Sequence, residues 1–282
     1  MSGLLTEMTQ TSLARLEAAR AHETEQALWS RVIDMAPAPR LTLSHEGFDL
    51  IAECKLHSPS AGDLSSKTTD VESRVAAYGQ GGAAAVSVLT EPKRFGGSLA
   101  HLAQAVRVLT PLNVPVMRKD FLVDPYQVME GRAAGAGGVL VIVRMLDPGR
   151  ITEMLDCAAI LKMFVLIEAF DAADLAVTKD ILKTRQGREE QLLVGVNCRD
   201  LETLSVDLAR LGEVADLLPN GYPKVAESGV ANADDVRRVV DQGYTMALVG
   251  SSLMNSDRPR ELASELLVAG RERALARRAA KP

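Results

Sequence analysis

Val116-Met117-Arg118-Lys119-Asp120-Phe121-Leu122-Val123-Asp124-Pro125-Tyr126 is a short apolar run that stops at a cluster of charge and then restarts as a helix. Val116 and Met117 suit a buried strand. Asp124-Pro125 suits an N-cap and first turn, since the carboxylate accepts from an orphan N–H and proline has none to orphan. Lys119 therefore falls where strand gives way to loop. Lys55 stands in the same context, after Leu50-Ile51-Ala52-Glu53-Cys54. Two lysines at the ends of two core strands concentrate positive charge in one mouth, which suits a phosphorylated or carboxylated substrate.

The same unit of β-rich run, loop and amphipathic helix recurs along the chain. The runs are 50–54, 85–89, 114–117, 138–143, 164–167, 192–196, 224–226 and 246–249, eight in all. Most are apolar without alternation, as in parallel strands buried on both faces. Asp124-Pro125, Asp147-Pro148, and Asn232 with Asp234 and Asp235 mark helix starts between them. Eight strand–helix units in roughly 230 residues match a (β/α)8 TIM barrel, which typically takes about 250. A doubly wound open sheet is the alternative, but no glycine-rich dinucleotide turn follows the first strand. The expected class is thus α/β, a (β/α)8 TIM barrel over residues 50–282 with an extra N-terminal helical segment, 1–49, packing on it. In that segment Leu28, Val32 and Met35, with Trp29, fall at helical spacing, and Pro37, Pro39 and Gly47 break the pattern. The stretch from Arg260 also reads helical. Its basic end (Arg271, Arg273, Arg277, Arg278, Lys281) reads as a solvated last turn that complements the helix dipole. The polar stretch 183–190 reads as an extended helix end and surface loop.

The 282 residues are 47% hydrophobic and 24% charged, an ordinary soluble composition. A net charge of −5 argues against nucleic acid as the main partner, so any anion site is a local basic spot in an acidic body. The three cysteines, Cys54, Cys157 and Cys198, are widely spaced, which favours reduced thiols over a disulfide framework or a zinc site. No apolar run approaches the ~20 residues that span a bilayer, and no secretory signal is visible. The expectation is a cytoplasmic protein with no membrane or nucleic-acid partner.

Barrels of this kind place their chemistry at the C-terminal ends of the strands. The residues there are Glu53 and Lys55, Thr90 and Glu91, Lys119 and Asp120, Glu168, Asn197 with Arg199, Glu227 with Ser228, and Gly250 with Ser251. Any one of them reads as a solvated strand end, but together they read as one site. Ala226-Glu227-Ser228-Gly229 and Val249-Gly250-Ser251-Ser252 put small residues where backbone N–H groups close on an anion, in the two units where barrels often bind phosphate. Ser58-Pro59-Ser60-Ala61-Gly62 reads as a lid over the mouth.

Several of these segments, taken together and in order, resemble indole-3-glycerol phosphate synthase. They are Ile51-Ala52-Glu53-Cys54-Lys55 through Ser58-Pro59-Ser60, Ser87-Val88-Leu89-Thr90-Glu91 through Phe95-Gly96-Gly97-Ser98, and Arg118-Lys119-Asp120-Phe121 through Asp124-Pro125-Tyr126-Gln127. Gly195-Val196-Asn197-Cys198-Arg199-Asp200-Leu201, Val225-Ala226-Glu227-Ser228-Gly229 and Val249-Gly250-Ser251-Ser252-Leu253-Met254 complete the set. The resemblance implies that 1-(2-carboxyphenylamino)-1-deoxyribulose 5-phosphate closes to indole-3-glycerol phosphate with loss of CO2 and water, in tryptophan biosynthesis, without metal or organic cofactor. It makes Lys119 the general acid of ring closure, with an ammonium that also stabilises the developing oxyanion. Glu168 becomes the base of dehydration. Lys55 contacts the phosphate and serves as the second acid, and Glu53 sets the charge and orientation of the lysines. Asn197 joins this catalytic group, and Arg199 and Glu227 position the substrate, Arg199 through its planar fork. Pro59, Phe95, Phe121 and Leu140 surround the substrate's aromatic part, Ser58 also binds substrate, and Ser228, Gly229, Gly250 and Ser251 complete the phosphate cradle. The expected assembly is a monomer or homodimer.

Residues 1–49 lack the family's clear N-terminal pattern, and His57 stands where a small or basic residue is usual. A second copy serving a specialised indole-derived pathway would carry the same site residues. Another phosphate-binding barrel would share the glycine cradle but not these lysines and glutamates. A retired barrel kept for binding would lose Lys119 or Glu168, and both are present.

Overall fold

A computed structural model describes residues 3–58, 62–63 and 70–280. Eight strands close into a parallel barrel: β1 Asp49–Cys54, β2 Ala85–Leu89, β3 Val116–Lys119, β4 Gly138–Ile142, β5 Phe164–Ala169, β6 Leu192–Asn197, β7 Lys224–Glu227 and β8 Met246–Val249. Each pairs with its neighbours in sequence, and β1 closes the ring on β8, with Asp49 beside Met246 and Ile51 beside Ala85. Their apolar side chains are buried on both faces, which explains the unbroken hydrophobic runs. The expected helix starts are in place: Asp124 accepts from the Tyr126 N–H, Asp147 from Arg150, and Asn232 from both Asp234 and Asp235.

β3 lies two residues further on than its apolar run suggests. The Val114 N–H is taken by the carbonyl of Leu109, closing the preceding helix, and Pro115 has no N–H to donate. Arg118 and Lys119 are therefore strand residues. Arg118 is buried between β3 and the helix Pro125–Ala133, where it donates to the Gln127 carbonyl at 2.6 Å. Gly131 makes room for it, since a Cβ there would lie 3.2 Å from Arg118 Cδ. β5, β6 and β7 likewise extend past their apolar stretches to take in Glu168, Asn197 and Glu227.

Two helices precede the barrel, α1 Gly3–His22 and α2 Glu25–Ile33. Leu28 and Val32 are buried, with Trp29 and Met35 packed against the same core, as the spacing requires. α2 packs on the helix Pro125–Ala133, and Tyr126 of that helix donates its hydroxyl proton to the carbonyls of Glu23 (2.8 Å) and Ala19 (3.2 Å).

Two surface expectations hold in outline, with side-chain partners that the sequence did not announce. The arginines of the C-terminal helix Pro259–Ala279 are bonded to neighbouring elements rather than simply solvated: Arg271 pairs with Asp49 and Glu46, Arg273 with Asp241, Arg277 with the Val240 carbonyl and Arg278 with that of His45. In the polar stretch after the helix Ala172–Lys183, the Arg185 side chain is 0% exposed and pairs with Glu190 at 2.6 Å and Asp156 at 2.9 Å. It is a buried clamp within that loop.

Candidate active site

The ends of the strands bring the lysines and carboxylates together. Lys119 Nζ, at the end of β3, lies 3.1 Å from Glu168 Oε2 of β5 and 3.1 Å from Glu227 Oε2 of β7. Lys55, just past β1, pairs with Glu53 at 2.8 Å. Asn197, at the end of β6, donates to Glu168 Oε1 at 3.1 Å. Its Oδ1 accepts from the Ser228 hydroxyl at 2.9 Å and the Arg199 N–H at 3.0 Å, so one amide aligns the ends of three segments.

Electrostatics sort these groups by protonation. Burial alone would lower the Lys119 ammonium, but Glu168, Glu227 and Glu53 outweigh it and hold its pKa above the ordinary lysine value. Burial also works against the Glu53 carboxylate, and there Lys55 and Lys119 prevail, holding it below the usual range. Glu227 goes the other way. Burial and the neighbouring Glu168 push it up to about 8, against the pull of Lys119. Its Oε1 is buried and has no hydrogen-bond partner among the described residues, consistent with a carboxyl that resists ionisation.

This cluster lies between two adjoining pockets, an apolar end and a polar end that share part of their lining. The apolar end is lined by Phe95, Phe121, Leu140, Ile142, Phe170 and Leu204, with Leu4 and Leu5 of α1. The Phe95 and Phe121 rings lie with centroids 6.1 Å apart. The polar end is lined by Lys55, Ser228, Gly229, Gly250 and Ser251. Ser228 and Gly229 both have left-handed φ, 69° and 79°, which turns the backbone sharply at the end of β7. Gly250 leaves space beside the first lysine, because a Cβ there would lie 2.4 Å from Glu53 Oε1 and 3.0 Å from Lys55 Nζ. Lys55, Lys119, Asn197, Arg199 and Ser228 line both ends.

Some sequence expectations fall elsewhere. Glu91 does not join the lysine cluster; its carboxylate caps the short helix Pro92–Phe95, accepting from the N–H groups of Lys93, Arg94 and Phe95. Thr90 donates to Asp120 behind the cluster at 2.7 Å. Pro59, Ser60 and the Ser58 side chain lie outside the described residues, as does most of the expected lid. His57 is exposed, in a short strand paired with Gly62–Asp63, and its ring lies beside Gly96. Leu4, Leu5, Ile142, Phe170 and Leu204 were not singled out from the sequence. Phe170 had a signal, directly after the Glu168 strand. Leu4 and Leu5 had none, because only tertiary packing brings α1 over the mouth.

A closed parallel barrel whose strand ends gather two lysines and three glutamates between an apolar and a polar pocket defines the class, a (β/α)8-barrel enzyme. The chain belongs to the indole-3-glycerol phosphate synthase family, whose model matches residues 6–266. It is accordingly a carbon–carbon lyase of the decarboxylating, ring-closing kind. The match takes in the N-terminal helices from residue 6, so they fall within the family's pattern despite the divergence read from residues 1–49. Indole-3-glycerol phosphate synthase of Parafrankia sp. is 40% identical over 90% of this chain and 91% of its own. That of Beutenbergia cavernae is 43% identical over 80% and 79%. Among solved structures, thiamine phosphate pyrophosphorylase from Pyrococcus furiosus superposes with a TM-score of 0.58 at 16% identity, covering 81% of this chain and 98% of that one, a likeness of fold alone.

Proposed function

We propose that the cluster closes, decarboxylates and dehydrates 1-(2-carboxyphenylamino)-1-deoxyribulose 5-phosphate, with Lys119 as the first acid. The observation that carries this is the position of the Lys119 ammonium, held protonated 3.1 Å from the carboxyl groups of Glu168 and Glu227 and lining both ends of the cavity. With the phosphate against Lys55, Ser228, Gly229, Gly250 and Ser251, and the ring between Phe95, Phe121 and Leu140, the sugar carbonyl comes to Lys119. Arg199 and Glu227 hold the substrate's polar groups between these ends.

The ring carbon that bears the carboxylate attacks the carbonyl carbon, and Lys119 gives its proton to the oxygen as charge develops there. The C–CO2 bond then breaks, and its electron pair restores the aromatic ring. In the last step Glu168 takes a proton from the neighbouring methylene carbon while Lys55 protonates the departing hydroxide, leaving the new double bond and water. Two protons are given and one is taken, so each turnover draws one proton from solvent as the carboxylate leaves as CO2. Asn197 keeps Glu168 aimed, and Glu53 keeps Lys55 charged.

Three unpaired, buried cysteines support a reducing, cytoplasmic setting. Among the described residues no helix is long and apolar enough to cross a membrane.

The test is to mix purified protein with this substrate in metal-free buffer and follow indole fluorescence. A rise that Lys119→Ala abolishes supports the assignment. Folded protein that binds the substrate without a rise, or a Lys119→Ala variant keeping most of its kcat, overturns it.

A further inference from the structure

The residue after the first acid, Asp120, is where α1 grips the barrel. Arg15 of α1 sends both terminal nitrogens to it, Nη1 to Oδ2 and Nη2 to Oδ1, each at 2.8 Å. The Asp120 side chain is 0% exposed, and its remaining bonds are equally local. Thr90 donates to it at 2.7 Å, Arg118 at 3.3 Å and the Phe121 N–H at 2.8 Å. One carboxylate thus anchors the peptide that carries Lys119 on one side and the slot residue Phe121 on the other.

The arrangement is a costly way merely to fasten a helix. Arg15 Nε is buried and has no partner among the described residues, so the guanidinium is retained although one donor is wasted. α1 has other fastenings nearby: Gln127 donates to the Ser12 hydroxyl at 2.9 Å, Arg20 reaches Asp124 at 2.9 Å, and Tyr126 reaches the carbonyls at the end of the helix. What Arg15 adds is two parallel bonds of fixed direction on the carboxylate that follows Lys119 in the chain.

We propose that Arg15 is a positioning residue for catalysis, locking Asp120 and through it the backbone that aims Lys119 and Phe121. The inference rests on Lys119 being the acid of ring closure. A shift of about 1 Å at such a group costs about a hundredfold in rate, so losing the fork acts on turnover more than on binding. Removing the guanidinium leaves the cradle and most of the apolar slot untouched.

The test compares wild type, Arg15→Met, Arg15→Lys, Asp120→Asn and the Arg15→Met/Asp120→Asn double variant, all full length and assayed below their thermal midpoints. Arg15→Met should lower kcat by about ten- to a hundredfold with KM within about threefold. Arg15→Lys should recover part of that loss, and the double variant should be no slower than the slower single one, because both act through one link. Unchanged kcat in Arg15→Met, a change confined to KM, or losses that multiply in the double variant would overturn the inference. If Arg15→Met does not fold, Arg15→Lys and Asp120→Asn decide it: a kcat loss at steady KM in both supports the link, and wild-type kcat in both removes it. A wild type inactive on this substrate would instead remove the reading on which the inference rests.

Discussion

Glu227 occupies its place because residue 195 has no side chain: a Cβ on Gly195 would lie 2.1 Å from Glu227 Oε1 and 3.0 Å from Leu166 Cδ1. Gly195 of β6 and Glu227 of β7 are on adjacent strands, and the missing methyl is what lets a carboxyl lie inside the barrel mouth against Lys119. Gly195→Ala should therefore push Glu227 off Lys119, with a kcat loss of about tenfold or more and about 1–3 kcal/mol of stability lost to overpacking. Steady-state kinetics with urea unfolding check this. A variant with wild-type kcat and stability would mean that Glu227 swings aside freely and has no fixed role.

The same carboxyl gives the free protein a pH signature. Its pKa rises from 4.5 to about 8, so across that interval the folded chain holds a proton that the unfolded chain has released. Stability then falls as pH climbs from about 4.5 to about 8 and levels off above. Glu53 and Asp120 are shifted downward and act below this window, and Lys119 is shifted upward and acts above it. Glu227→Gln removes the contribution. Urea unfolding at pH 5.5 and 8.5, about the ends of the window, should show the wild type losing stability relative to the variant at the higher pH. Parallel changes in the two proteins would place the titration on another group.

Most of the barrel was legible because its strands are buried on both faces and its helices begin at carboxylate or amide caps, both of which leave local marks. The lysines and carboxylates were legible because each lies within a residue or two of where an apolar run stops. The strand ends were less so. Arg118 and Lys119 belong to β3, and nothing local says that a charged residue will be strand when a glycine such as Gly131 opens space for it elsewhere in the fold. Arg15, Leu4 and Leu5 were invisible for a different reason. α1 turns Ser12 and Arg15 as well as leucines towards the barrel, so no apolar periodicity announces that it forms part of the mouth.

The cradle makes a prediction that separates binding from chemistry. A methyl on Gly250 collides with Glu53 Oε1 at 2.4 Å and crowds Lys55 Nζ at 3.0 Å, at the polar end of the cavity. Gly250→Ala should raise KM by about tenfold before kcat falls comparably, because it obstructs a site formed before reaction. Inorganic phosphate should weaken as a competitive inhibitor in step. An unchanged KM, or a kcat loss without weaker phosphate inhibition, would place the phosphate elsewhere.

Arg185 offers a control far from chemistry, where stability should respond and turnover should not. Its guanidinium is fully buried and holds Glu190, whose side chain is 8% exposed, at 2.6 Å; Asp156, at 2.9 Å, is half exposed, and Arg188 is a second partner of both, 2.8 Å from Asp156 and 3.6 Å from Glu190. Arg185→Leu therefore leaves Glu190 only the longer Arg188 contact and should cost about 3 kcal/mol, the low end of the range for breaking a buried pair from one side. Removing both partners should cost less, because the uncompensated charge disappears with the second substitution. The Arg185→Leu/Glu190→Leu protein should accordingly unfold at a higher urea concentration than Arg185→Leu alone, and both should keep wild-type kcat and KM at a temperature where they are folded. A double variant weaker than the single one would show that the loop is held by the packing of these side chains. The ion pair would then be incidental.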